Sequence, residues 1–219
     1  MSDLIVTVRG TSESRIAPER ATVRVAAETD GGDRAAVIAD VHRAVEPLRA
    51  SLADLQARGA VETWSNPRVS IWAERPWNDA GAQLEPVHHA SLVLTAVFAD
   101  LEAVSGWLDD VAAKASVRID GIDWHLTPTT ARRLERETAA AAVSDAVERA
   151  TAYAGAIGRT KLEPLDVADA GLLSPAPEPA AERAALKGMM MDAAGSPGFA
   201  VTPADVVVTA AVDARFRAS

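Results

Sequence analysis

The sequence predicts an α+β protein. Two β-α-β passes form a mostly antiparallel sheet with helices packed on one face, and a long helix in the C-terminal half with closing strands completes the fold. Three observations carry this. The apolar period switches repeatedly between about 2 and about 3.6 residues, the marks of half-buried strands and amphipathic helices. The order strand, helix, strand occurs twice, over 20–74 and 87–126. Hydrophobic residues make up 48% and charged residues 24%, a balance that supports a packed core in a chain of 219 residues.

The elements follow in order. Residues 4–9 read as a strand, and Gly10-Thr11-Ser12-Glu13-Ser14 with Ala17-Pro18-Glu19 reads as turn chemistry. In 20–29, Ala21, Val23, Val25 and Ala27 alternate with Arg20, Thr22, Arg24 and Glu28, a period-2 strand. Asp33 is placed to cap a helix over 34–58, where Val41, Val45, Leu48, Leu52 and Leu55 recur at spacings of 4, 3, 4 and 3. Pro47 lies inside that stripe and is expected to kink or interrupt it, because it removes a backbone donor. Residues 61–74 return to strand, with Val69, Ile71 and Ala73 on one face and Arg68, Ser70, Trp72 and Glu74 on the other.

A polar stretch from Arg75 to Pro86 joins this strand to the next, 87–98, as a hairpin loop. Asp100 caps a second helix, 101–115, and a strand over 117–126 closes the second pass. The longest helix spans 129–157, with Val143, Val147, Ala150, Ala154 and Ile157 on its apolar stripe. Strands over 162–169 and 204–216 follow. Between them, 172–202 is rich in Pro, Ala and Met and too long for an ordinary connection, which leaves a functional loop or a flexible one. The whole chain, 1–219, reads as a single domain with an internal pseudo-repeat.

Charge and composition narrow the function classes. Lys and Arg number 22 against 31 Asp and Glu, a net charge of −9, which repels a phosphate backbone. The densest basic run, Arg132-Arg133-Leu134-Glu135-Arg136-Glu137, is interleaved with acids, so nucleic acid is not an expected partner. Without cysteine there are no disulfides, thiol nucleophiles or thiolate metal sites. The N-terminus has no basic region before its short apolar stretch, and no segment reaches about 20 apolar residues. A cytoplasmic protein without a membrane span is expected.

Few residues suggest chemistry. His88 and His89 are neighbours on a strand and face opposite sides. Asp123 and His125 share a strand face, as a metal or acid–base pair or in surface hydrogen bonds, but a metal site needs at least three converging ligands. No catalytic, cofactor or metal residues are assigned. Met189, Met190 and Met191 could serve as soft thioether ligands, as reversible oxidant traps, or as loosely packed loop residues against a neighbouring subunit. Trp64, Trp72 and Trp77 cluster in sequence around the first hairpin. Trp72 falls on the polar face, which leaves an exposed interaction surface or a face covered by a helix.

Local patterns add a resemblance. Ile16-Ala17-Pro18-Glu19-Arg20-Ala21-Thr22-Val23 after Gly10, Ile119-Asp120-Gly121-Ile122-Asp123-Trp124, and the alanine-rich helix around Ala140-Ala141-Ala142-Val143 ending at Ile157-Gly158 resemble the SIMPL-domain family over nearly the whole chain. Ser12 stands where members usually carry a second glycine, and the usual export signal is missing. The resemblance implies a bacterial protein associated with oxidative-stress defence that builds large ring-like or cage-like homo-oligomers. The expected function is therefore non-enzymatic self-assembly, as a scaffold or shell. The alternative is a module that binds a small molecule or protein through 172–202 and the tryptophan-bearing hairpin.

Overall fold

The computed structural model describes residues 4–173 and 201–219. In chain order the elements are β1 (Leu4–Ile16), β2 (Arg20–Gly31), α1 (Arg34–Ala57), β3 (Val61–Glu74), β4 (Val87–Phe98), α2 (Glu102–Ala112), β5 (Val117–His125), α3 (Pro128–Ala156), β6 (Leu162–Asp169) and β7 (Val206–Ala218). They pack as two compact units: one holds β2 through β5 with α1 and α2, the other β1, α3, β6 and β7.

The first unit is a four-stranded sheet in the order β3-β4-β2-β5, antiparallel at every neighbouring pair. Each β-α-β pass is split, with β4 between β2 and β3, and β2 between β4 and β5. This is the interleaved form of the two-pass architecture that the repeated strand, helix, strand order predicts. Ala21, Val23, Val25 and Ala27 of β2 and Ala90, Leu92, Leu94, Ala96 and Phe98 of β4 line one sheet face. Val41, Val45, Leu48 and Leu52 of α1 and Val104, Trp107, Leu108 and Val111 of α2 complete that core. Phe98 and Trp107 meet with ring centroids 5.5 Å apart. Burying each valine, leucine or phenylalanine side chain of this core contributes roughly 1.5–3 kcal/mol, and each alanine less.

Local signals work as the sequence suggests. The Asp33 carboxylate accepts from Ala36 N at 2.8 Å, and Asp100 accepts from Glu102 N at 3.0 Å. In β5 the register against β2 shifts next to Gly121, which has φ 154°, so the glycine of the Ile-Asp-Gly-Ile stretch serves a β-bulge. Helix α1 runs through Pro47 without a break. Pro47 lies on the exposed side while Val45 and Leu48 hold the core, so packing carries the helix past the missing donor.

The second unit is a three-stranded antiparallel sheet, β1-β7-β6, with α3 on one face. Two expectations change here. Gly10–Ser14 is strand and not turn: β1 pairs with β7 without interruption from Leu4↔Ala218 to Ile16↔Val206. The buried stripe of α3 is Leu134, Thr138, Ala142, Ala146, Ala150 and Ala154, while Val147 and Ile157 are exposed. Close approach explains both corrections. A Cβ on Gly10 would stand 2.0 Å from Ala142 O and 2.5 Å from Ala146 N, so α3 lies nearly on the β1 backbone and only small residues fit between.

Candidate functional site

The β3–β4 hairpin is tied to its sheet unevenly. β3 is an edge strand, and its register against β4 slips at Val61/Thr63 and again at Ser65/Arg68, where Pro67 sits. Proline cannot donate to a ladder and is found at edges and bulges for that reason. Beyond the slip, Arg68 to Glu74 pair residue by residue with Val93 to Val87.

Opposed residues share a sheet face. Val69, Ile71 and Ala73 therefore lie with Leu92, Ala90 and His88 on the helix-bearing side. Leu92 and Ala90 are buried, yet Val69 is 55% and Ile71 39% exposed, because the helices cover β4 and leave the end of β3 bare. On the opposite side Trp72 is 46% exposed and stacks on His89, with centroids 5.0 Å apart and planes within 12°. His89 Nε2 stands 3.4 Å from Glu74 Oε1 but makes no hydrogen bond. At the tip, Trp77 is 67% exposed and Leu84 is exposed beside it in the chain's return. This loop is ordered by its own bonds: Asn78 Oδ1 accepts from Ala80 N at 3.1 Å and Ala82 N at 2.8 Å, and Leu84 N donates to Pro76 O at 2.8 Å.

The three tryptophans do not form one patch. Trp64 is half-buried against the core and donates from Nε1 to Gln56 Oε1 at 3.1 Å, which ties β3 to α1. Trp72 lies on the uncovered sheet face and Trp77 at the hairpin tip. Met189, Met190 and Met191 lie outside the described residues. Reading the residues in order missed Val69, Ile71 and Leu84 as exposed groups. Period 2 assigns Val69 and Ile71 to the covered face, and nothing local shows that the cover stops short of them.

The other polar candidates pair across strands. His125 Nε2 lies 2.9 Å from Thr22 Oγ1, and the Asp123 carboxylate accepts from Arg24. Among the described residues no group of three or more His, Asp or Glu converges as a metal site. A shallow groove of about 400 Å³ runs between α1 and α2 past Leu55 and Trp107, where Arg58 is paired with Asp54 at 2.7 Å.

In the second unit, Asp213 is the buried carboxylate among the described residues. It accepts from Arg9 Nε at 2.8 Å, Arg9 Nη2 at 3.2 Å and Gly171 N at 2.7 Å. The Arg9 hydrogen bond, reinforced by Gly171, holds its pKa below the usual carboxylate range against the opposing effect of burial. Arg215 donates to Leu173 O at 2.8 Å, so β7 holds residues 171 and 173 from two positions. The arrangement ties the turn after β6 to β7 and β1.

Among the described residues no helix is long and apolar enough to cross a membrane. A search of the curated proteins found no match. A family model described as SIMPL, protein of unknown function, matches residues 6–216. That match takes in every strand and helix of both units apart from the outermost residues of β1 and β7, and by it the chain belongs to the SIMPL family.

Proposed function

We propose that this SIMPL protein works by self-association, as a non-enzymatic scaffold or shell, with a role in stress defence suggested by the family resemblance alone. One observation carries the self-association: the distal hairpin presents Val69 and Ile71 on one face of the edge strand β3, Trp72 on the other and Trp77 in the loop at its tip, all of them exposed. A protein acting alone ordinarily guards such an edge with charge, proline or a covering element, because it offers unpaired backbone groups. Here the guard, a bulge with Pro67, lies before the apolar stretch and not within it.

The test is the absolute mass of the tag-free protein by light scattering across a concentration series, for the wild type and a Trp72→Ser, Trp77→Ser double variant. A discrete oligomer that the variant shifts to smaller mass, with its unfolding midpoint kept, is the expected result. A wild-type monomer at every concentration overturns the proposal. The second reading, a binding module, draws on the same solvent-facing Trp72 and Trp77. It gains ground if the wild type is monomeric and its tryptophan fluorescence responds to a ligand.

A further inference from the structure

The bare end of β3 has a self-complementary order. Its stretch beyond the Pro67 bulge is Arg68-Val69-Ser70-Ile71-Trp72-Ala73-Glu74, seven residues paired to β4 on one side. Among the described residues no strand pairs with the other side. Turning a copy antiparallel about Ile71 places Arg68 opposite Glu74, Val69 opposite Ala73, Ser70 opposite Trp72, and Ile71 opposite Ile71. Each of these pairs joins residues on the same sheet face, as antiparallel pairing requires. Both ends of the paired stretch then match opposite charges. Arg68 is exposed and makes no ion pair among the described residues, while the Glu74 side chain is 63% exposed and its charged contact among the described residues is His89.

From this we infer that two copies of the chain join through their β3 edges, antiparallel and centred on Ile71. The two four-stranded sheets become one eight-stranded sheet across a two-fold axis. This rests on the self-association reading and adds its contact and register. Pro67 fixes where the ladder stops, since it has no N–H to donate. Seven residues is the longest stretch free of the bulge, and its midpoint is Ile71. A register centred on Ser70 would instead set Arg68 against Trp72, leave Glu74 unmatched and bring Pro67 into the ladder. The partner is a second copy because the segment's charge and apolar order complements itself when reversed. A two-fold interface must have this property, with each residue contacting the partner's counterpart reciprocally.

The absence of native cysteine makes the test clean. In this register the two copies of residue 71 have Cα atoms about 4.5–5.5 Å apart, within disulfide reach. Two copies of residue 69 would be about 14 Å apart, well outside it. Ile71→Cys is therefore expected to form a covalent dimer under mild oxidation, and Val69→Cys alone is not. An equimolar mixture of Val69→Cys and Ala73→Cys should cross-link to each other.

Charge exchange supplies a second readout. Arg68→Glu or Glu74→Arg alone should weaken association about tenfold, since each sets like charges opposite at both ends of the interface. The double variant should restore it. A wild-type oligomer without an Ile71→Cys cross-link and without charge rescue overturns the β3 pairing while self-association stands. Cross-linking of Ser70→Cys in place of Ile71→Cys overturns the register. A wild-type monomer at every concentration overturns both this inference and the reading beneath it.

Discussion

At Gly10 the missing side chain decides how closely a helix can lie on a strand. Gly10→Ala would drive a methyl into Ala142 O and Ala146 N, both backbone atoms that cannot turn aside. Overpacking of this kind costs about 1–3 kcal/mol or more, so the urea midpoint of Gly10→Ala should fall by at least that equivalent. An unchanged midpoint would show that α3 can lift from β1 cheaply. Asp213 carries a different prediction, set by charge. Its pKa is lowered, first by the Arg9 hydrogen bond and then by Gly171, so its contribution to stability is fully present above the ordinary carboxylate range near about 4. That contribution fades as the pH falls through the lower folded value. Asp213→Asn should lower stability by about 1–3 kcal/mol at pH 7. The gap from wild type should stay constant down to pH 5 and close below about pH 4. Urea unfolding from pH 2 to 7 checks this, and a gap that persists at pH 2 would mean that packing and not charge supplies it. Neither partner of Asp213 could be found locally, because Arg9 is 204 positions away and Gly171 is 42.

Among the elements, α1 was the most legible and still holds an unused gain. Its cap at Asp33 and its stripe from Val41 to Leu52 are written in the residues. The expected effect of Pro47 is not seen, because the buried face holds the helix together on both sides of it. Pro47→Ala should restore a backbone bond in an exposed position. It is expected to raise stability by about 1–2 kcal/mol, the interior proline cost of about 3 reduced by the freedom regained in the unfolded chain. Thermal unfolding with circular dichroism measures it, and a fall in midpoint would show that the local backbone is shaped to proline. Helix α3 was placed correctly and its buried side was not. Valine and isoleucine point to one stripe, but the sheet accepts the alanine side, since Gly10 allows a contact that Val147 could not make. In β3 the alternation is right, and exposure of Val69 and Ile71 depends on where neighbouring helices end. For this reason the candidate surface was only partly legible: Trp72 and Trp77 were recognisable as candidates, while Trp64 proved to be a packing residue.

For the molecule as a whole, self-association is the proposal with the widest reach, and light scattering of the wild type decides it before any variant is made. An assembly that survives Trp72→Ser, Trp77→Ser would move the contact away from the hairpin and leave the rest of the proposal intact. The sequence by itself determined the α+β class, the order of strands and helices and the two β-α-β passes, because these rest on periodicity, caps and turns between near neighbours; membership of the SIMPL family rests instead on the match of a family model over residues 6–216. Tertiary structure alone decided that β1 leaves the region around it to pair with β7, that Gly10–Ser14 extends as strand, and that alanines face the second sheet. It also decided that the last residues of β3 lie bare. Each of these depends on which distant segment comes to rest against a residue, and a period of 2 or 3.6 says which residues share a face without saying what covers it.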